Sequence, residues 1–473
     1  MQTEVAPAYI NDLLLFIYRE YLVPLYRNFI NIRRWTIDGR DVLAFTAVDS
    51  RGLWHVDIEV TMGNPLEFKM TPYGNVPEKV LTRIKEDLII VVQMFEDKIR
   101  RTTLYFAWVP EKKIIPEKTV DRRRKVLSKI FFGNMLVFYI IFILLSYTLF
   151  LVATEIFKIP PEYYPLILVA LQFVMVLFSD KIVGTLGDWP ITSSSPYVHI
   201  LQYHLSPEQF ATVQQNYRKE TFLQIKREIY DETLAVGKPI TCEVAQKVFH
   251  KYGIEINPEN LVVKTVNAYN LVKEAAVRFK LPIPKIKLWN VIVPNAAATG
   301  PTPRFGLVLL TTGLLVQLDE EEIFAVVGHE LSHVKRRDPV ALALLVTAEY
   351  LLRVYYFWAF LYYFGFFYIF LSFGILYFIA KFFEARADLE SALQLGRPDV
   401  LANALRKIGY RRIQMERMQQ SWLGAWFGWN PHPPISFRIE RLESLREPEK
   451  IKHPFLQSIK DCIKGLIADL QRL

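Results

Sequence analysis

Residues 319–339 read DEEEIFAVVGHELSHVKRRDP. Asp319 followed three residues later by Glu322 is the pattern of a capping box. The acidic run suits the positive end of a helix dipole, and Lys335, Arg336 and Arg337 suit its negative end. Ile323, Val326, Val327, Leu331 and Val334 recur at helical spacing, so one face of this helix is expected to be buried. His329 and His333 stand one turn apart and point the same way, close enough for both imidazoles to reach one metal ion, with Glu330 facing the space beside it. HExxH also arises by chance on amphipathic helices, so a zinc reading needs a third ligand from elsewhere in the chain.

The surrounding chain has 473 residues, 52% of them hydrophobic, which implies several domains and calls for membrane segments. The formal net charge of +9 is gathered beside apolar runs, a distribution that orients membrane spans, so nucleic acid is not an expected partner. Cys242 and Cys462 are the only cysteines and lack metal-type spacing, which leaves no support for a disulfide framework or a zinc ribbon. The opening residues carry an apolar stripe broken by Asp12, Arg19 and Glu20, the pattern of an amphipathic helix rather than a cleaved signal peptide.

Taken in order, residues 1–110 are expected to form a soluble α+β unit: the opening helix, alternating strands in DVLAFTAVD and LWHVDIEVTM, a helix from Pro77 to Arg101, and a strand in TTLYFAWV. The unit holds no catalytic constellation, and His55, in an alternating strand, reads as structural. Residues 111–130 form a linker with eight Lys or Arg. Residues 131–154 carry no charge and, at about 1.5 Å per residue, are long enough to cross about 30 Å of hydrocarbon. Residues 163–181 make a second, shorter span. The basic cluster before this pair and the acidic loop after the first span place the amino-terminal unit in the cytoplasm, and two crossings return the chain there. A cytoplasmic helical region, 188–260, then leads to a core at 261–338 in which the strands IKLWNVIV and FGLVLLTT precede the HExxH helix. Residues 339–380 are apolar except for Glu349 and Arg353 and fit a hairpin of two spans turning near Gly365, with Glu349 and Arg353 paired across one helical turn.

Residues 381–473 follow the hairpin. Because an even number of spans separates His333 from Lys381, the chain re-emerges beside the metal helix, and Glu384 becomes the expected third zinc ligand. Asp388 lies one turn further on the same face, where a carboxylate can accept the second N–H of a ligating histidine.

At GHELSHVKRRD, an apolar hairpin and then EARAD (Glu384 to Asp388), the chain resembles the HtpX-type integral-membrane zinc metalloproteases, relatives of the CAAX prenyl endopeptidases. Asn295, Ala296, Ala297 and Ala298 resemble the family's substrate-pairing strand, although the family commonly has an aromatic residue where this chain has Ala297. His432-Pro433-Pro434 and Arg438-Ile439 resemble its HP element and the RI that follows. The resemblance implies one zinc ion held by His329, His333 and Glu384, Glu330 as general base, His432 as oxyanion stabiliser with Arg438 as helper, and polypeptide substrates. It extends over roughly residues 260–445 and is silent on the amino-terminal unit.

The expectation is therefore a multi-domain α+β protein of the cell membrane. It has four transmembrane helices in the lipid bilayer, a zincin-like metalloprotease domain, and both soluble parts and the carboxy terminus in the cytoplasm. The implied function is endoproteolysis of membrane or misfolded proteins. A prenyl-protein processing endopeptidase would use the same site with more spans. A site-2-type protease would bury HExxH inside a span, which the DEEE and KRRD flanks oppose. A non-hydrolytic zinc scaffold or sensor would not need Glu330.

Overall fold

The computed structural model describes residues 3–49, 51–63, 65–115, 147–418, 426, 430–445 and 451–470; most of the linker and of the expected first span, 131–154, lies outside the described residues. The amino-terminal unit is an antiparallel meander of β1 (Phe29–Ile37), β2 (Arg40–Val48), β3 (Trp54–Thr61) and β4 (Glu67–Gly74). Alternation along β2 and β3 turns Leu43, Phe45, Val56, Ile58 and Val60 to one face, where they meet Leu13 and Ile17 of α1 (Ile10–Ile17) and Leu88, Val92 and Phe95 of α2 (Glu78–Arg100). His55 stacks on Tyr73 with ring centroids 4.7 Å apart.

The run TTLYFAWV behaves differently from the expectation that it completes this unit. It forms β5 (Thr103–Trp108), which pairs antiparallel with β7 (Tyr197–His204), itself paired with β8 (Leu261–Asn267). The reason is two-sided burial. Ala107, Val198, Ile200 and Val266 face one core, while Phe106, Trp108, Leu201, Tyr203 and Leu261 face another. That second core belongs to a helical subdomain built on α4 (Pro207–Asn216), α5 (Lys219–Glu232) and α6 (Cys242–Lys251). A strand with two apolar faces needs a layer on each side, and only the later chain provides both. Chain on either side of the 131–181 region is thus hydrogen-bonded into one sheet.

The central core surrounds a second sheet, ordered β10-β11-β9-β6, formed by β6 (Trp189–Ile191), β9 (Lys285–Trp289), β10 (Ala296–Thr299) and β11 (Leu307–Thr311). β11 runs parallel to β9, and β10 is antiparallel to β11 with its other edge open. Against this sheet pack α7 (Ala268–Arg278), the HExxH helix α8 (Glu320–Arg336), the far end of α10 (Trp358–Leu395) and α11 (Pro398–Met418). Gly328 lets α8 and α10 approach closely: a Cβ there would stand 2.8 Å from Leu395 Cδ1 and 2.9 Å from Ser391 Oγ.

The apolar helices pack on one another. α3 (Tyr164–Leu177) packs on α9 (Asp338–Tyr355), where Gln172 donates to the Ala343 carbonyl at 3.1 Å. Arg353 forks onto Glu349 at 2.9 and 3.3 Å. The expected turn near Gly365 is two features: a break at Tyr356–Phe357 and a non-helical Gly365 inside α10. Among the described residues one helix, Phe367–Leu395, is long and apolar enough to cross a membrane, with shorter apolar helices at Tyr147–Ile156 and Pro161–Leu177. α12 (Ile435–Glu443) and α13 (Pro454–Leu470) close the fold against α11 and α10.

Two outcomes test this packing. Gly328→Val should wedge α8 from α10 and cost about 1–3 kcal/mol by overpacking, read as a lowered unfolding midpoint in detergent. His204, buried at the β5–β7 pairing with Nδ1 2.8 Å from Thr103 Oγ1, is pushed by burial from 6.5 down to about 4. Its folded value lies below its unfolded one, so its contribution of about 3 kcal/mol is present above pH 6.5 and is lost as pH falls toward 4. His204→Gln should flatten that stretch of the stability–pH curve.

Candidate metal centre

α8 starts as its sequence demands: Asp319 accepts from the Glu322 N–H at 2.8 Å, and Glu322 accepts from the Asp319 N–H at 3.0 Å. Ile323, Val326, Val327, Leu331 and Val334 are all buried. Glu322 also accepts from Lys407 of α11 at 2.7 Å, and at the other end Glu390 of α10 accepts from Ser332 and Arg336 at 2.7 Å each. The helix is thereby pinned at both ends to the elements that complete the site.

On its inner face His329 Nε2 and His333 Nε2 lie 3.2 Å apart. Glu384 of α10 brings Oε2 to 3.5 Å from His329 Nε2 and Oε1 to 3.4 Å from His333 Nε2. One donor atom from each residue falls within 4.8 Å of the others. Tetrahedral ligands at about 2.0–2.2 Å from zinc stand about 3.3–3.5 Å from one another, so this donor set fits such an ion and leaves one position open.

Each imidazole has a carboxylate behind it. Asp388 Oδ1 is 2.9 Å from His329 Nδ1, though off the line of a ring N–H, and Asp338 Oδ2 is 2.7 Å from His333 Nδ1. Burial opposes charge on His329, but Asp388 and Glu384 outweigh it and push the ring up to about 10, so proton and metal compete for one space. Asp338 escaped the sequence reading. The chain turns at Arg337, in the left-handed conformation with φ 57°, and the next residue, Asp338, meets the His333 ring. A carboxylate just past the last turn of a metal helix was the available signal.

The other expected residues distribute unevenly. Arg438, expected beside an oxyanion, places its fork on Asp388 with two contacts of 2.7 Å, and its nearest approach to Glu384 is 3.9 Å. It is buried, and a buried guanidinium goes to the carboxylate that neutralises it. His432 is partly exposed, with Nδ1 2.6 Å from Glu384 Oε2. Glu330 accepts from the Ala298 N–H at 2.8 Å, and burial holds its carboxyl above the ordinary range. Of the four expected substrate-pairing residues, 295–298, Asn295 lies just before β10 and is tied inward: its N–H donates to Thr311 Oγ1 at 2.9 Å and its carbonyl accepts from the Thr311 N–H at 3.1 Å. Antiparallel alternation then turns Ala297 to β11 as well and leaves Ala296 and Ala298 on the open edge.

Residues 265–446 match the family model described as peptidase family M48. A protease HtpX homologue of Thermodesulfovibrio yellowstonii is 31% identical over 210 residues, covering 37% of this chain and 74% of that protein. One of Methanothermobacter thermautotrophicus is 36% identical over 151 residues, covering 30% and 58% respectively. The crystal structure of S. mikatae Ste24p is 17% identical, with a TM-score of 0.30 over 36% of this chain and 49% of that one. The sequence relatives alone carry the assignment. None of these matched residues reaches the amino-terminal unit in the case of the family model, which begins at 265.

Removing the carboxylate behind His333 frees its ring and tautomer. Asp338→Ala should weaken binding of zinc by about 10–100-fold, measured by competition with a chelating dye.

Proposed function

The chain belongs to peptidase family M48, among the HtpX-type metalloendopeptidases, and from that premise we propose that it is a zinc enzyme embedded in the cell membrane that cleaves membrane or misfolded polypeptides at the cytoplasmic face. The observation that carries the reading is the 3.2–3.5 Å spacing of His329 Nε2, His333 Nε2 and the Glu384 oxygens, with Glu330 alongside. Zinc held by these three residues supplies, when bound, a Lewis acid that acidifies water and polarises a carbonyl.

The protein's own groups do the rest. Glu330, kept basic enough by burial to hold a proton, takes one from the attacking water and delivers it to the leaving amine. His432 gives Nδ1 to Glu384 and stabilises the developing oxyanion from Nε2 when the ring carries both protons. Arg438 keeps Asp388 charged and in place against His329. An extended peptide adds as a strand beside Ala296 and Ala298, which recognises backbone rather than sequence and suits a broad range of polypeptides. Ala298 already holds Glu330 through its N–H, so the general base is referenced to the strand that the substrate joins.

Four spans carry this domain: residues 131–154, α3 and its flanks, α9, and the apolar part of α10. The β5–β7 pairing supports an even number of crossings between residues 109 and 196. The meeting of His333 with Glu384 supports an even number between 338 and 384. The basic linker before residue 131 supports a cytoplasmic placement of both soluble parts.

Glu330→Gln should keep its zinc while cleavage of an unfolded protein such as reduced casein drops by about 10²–10⁴-fold, with zinc counted by atomic absorption on the same preparation. Undiminished cleavage would refute the assignment of the base.

A further inference from the structure

His432 sits on a segment with no strand to carry it, yet its ring must be placed against Glu384 to within a few tenths of an ångström. Among the described residues, the hydrogen bonds that hold residues 430–433 come from side chains, and the first backbone link of the segment is the Arg438 N–H donating to the Pro434 carbonyl at 3.1 Å where α12 begins. Lys381, buried on α10 one turn before Glu384, donates to the Asn430 carbonyl at 2.5 Å, and Asn430 Oδ1 accepts from the His432 N–H at 2.9 Å. Arg412 of α11 donates to the carbonyls of His432 and Pro433 at 3.3 and 3.1 Å. Glu416, one turn further along α11 and 3.3 Å from Arg412, accepts from the N–H groups of Ile435 and Ser436 at 2.8 and 3.1 Å and from Ser436 Oγ at 3.0 Å.

The pair therefore grips the segment from both ends: a cation on the two carbonyls at and after His432, an anion on the two N–H groups that open α12. Neither residue belongs to the ligand set or reaches the reacting atoms. The opposite side of the same helix is held in turn by the amino-terminal unit, with Arg411 2.5 Å from Asp97 and Arg417 2.6 Å from Glu86. Gly409 lets α12 lie flush on α11, since a Cβ there would overlap Ile435 Cδ1.

We propose that Arg412 and Glu416 are positioning residues that set the His432 ring against Glu384 by clamping the backbone on both sides of Pro433 and Pro434. The proposal rests on the proteolytic reading given above and on the oxyanion role of His432 within it. The clamp acts through geometry: without Arg412 the 432–433 carbonyls are free to rotate, and the ring leaves the direction in which Nε2 serves the substrate.

The test uses the full-length zinc-loaded protein in detergent, with Arg412→Ala, the milder Arg412→Lys and Glu416→Gln, His432→Ala, and the Arg412→Ala/His432→Ala double variant. Arg412→Ala should keep wild-type zinc content and KM while kcat falls about 10–100-fold, and Arg412→Lys should recover part of that loss. Affinity for a phosphinic peptide, which imitates the tetrahedral centre, should fall in parallel, whereas affinity for an uncleaved peptide measured in Glu330→Gln should not. In the double variant kcat should match His432→Ala alone. Equal damage to both affinities, or losses that multiply in the double variant, would overturn the clamp. A damaging His432→Ala beside a silent Arg412→Ala would overturn it while leaving the proteolytic reading intact. A silent His432→Ala would remove the oxyanion role and the clamp together.

Discussion

Buried charge has to be neutralised where it stands, and this constraint organises the metal centre and the helices around it. Asp388 is matched by Arg438, Asp338 by Arg386, Glu322 by Lys407, and Glu390 by Arg336 and Ser332. Each of these pairs joins two different elements, so satisfying the charges and assembling the site are the same event. A carboxylate left without its partner in this dry space would cost several kcal/mol, far more than an exposed pair contributes. The stiffness that orients His329 and His333 is thus a by-product of solvation physics, expressed through the carboxylates that touch their second nitrogens.

The same logic explains why the amino-terminal unit is not a loose attachment. Its meander has a core of its own, but its last strand is contributed to a sheet whose two faces are covered by the central core and by the helical subdomain. Its long helix α2 then reaches α11 through Asp97, Glu86 and Asp87. α11 consequently stands between that unit on one side and the His432 segment on the other. Side chains at adjacent positions serve the two contacts, and a helix held from both sides has little freedom to move either.

The metal helix was almost wholly legible in the chain. Its capping box, its apolar face and its two histidines follow from local spacing, and Glu384 with Asp388 followed from counting crossings between two polar stretches. Asp338 was missed because its role depends on a left-handed turn at Arg337, a conformation unremarkable in sequence. Arg438 was expected beside an oxyanion and its fork lies on Asp388, a pairing the chain does not show because sequence reveals that a cation is present without showing which buried carboxylate it meets. The β5 run looked like the end of a local unit since strand periodicity carries no information about distant pairing.

Periodicity, capping chemistry and hydrophobic length are properties of neighbours along the chain, and so the sequence by itself determined the HExxH helix, the shared face of its two histidines, the apolar stretches and the returning EARAD segment. The tertiary structure alone decided which carboxylate backs which imidazole, that β5 belongs with β7, that among residues 295–298 it is Ala296 and Ala298 that face away from β11, and that Arg412 and Glu416 hold the His432 segment. These are choices among chemically equivalent partners. They are made by the direction and distance that packing imposes, which one-dimensional spacing does not contain.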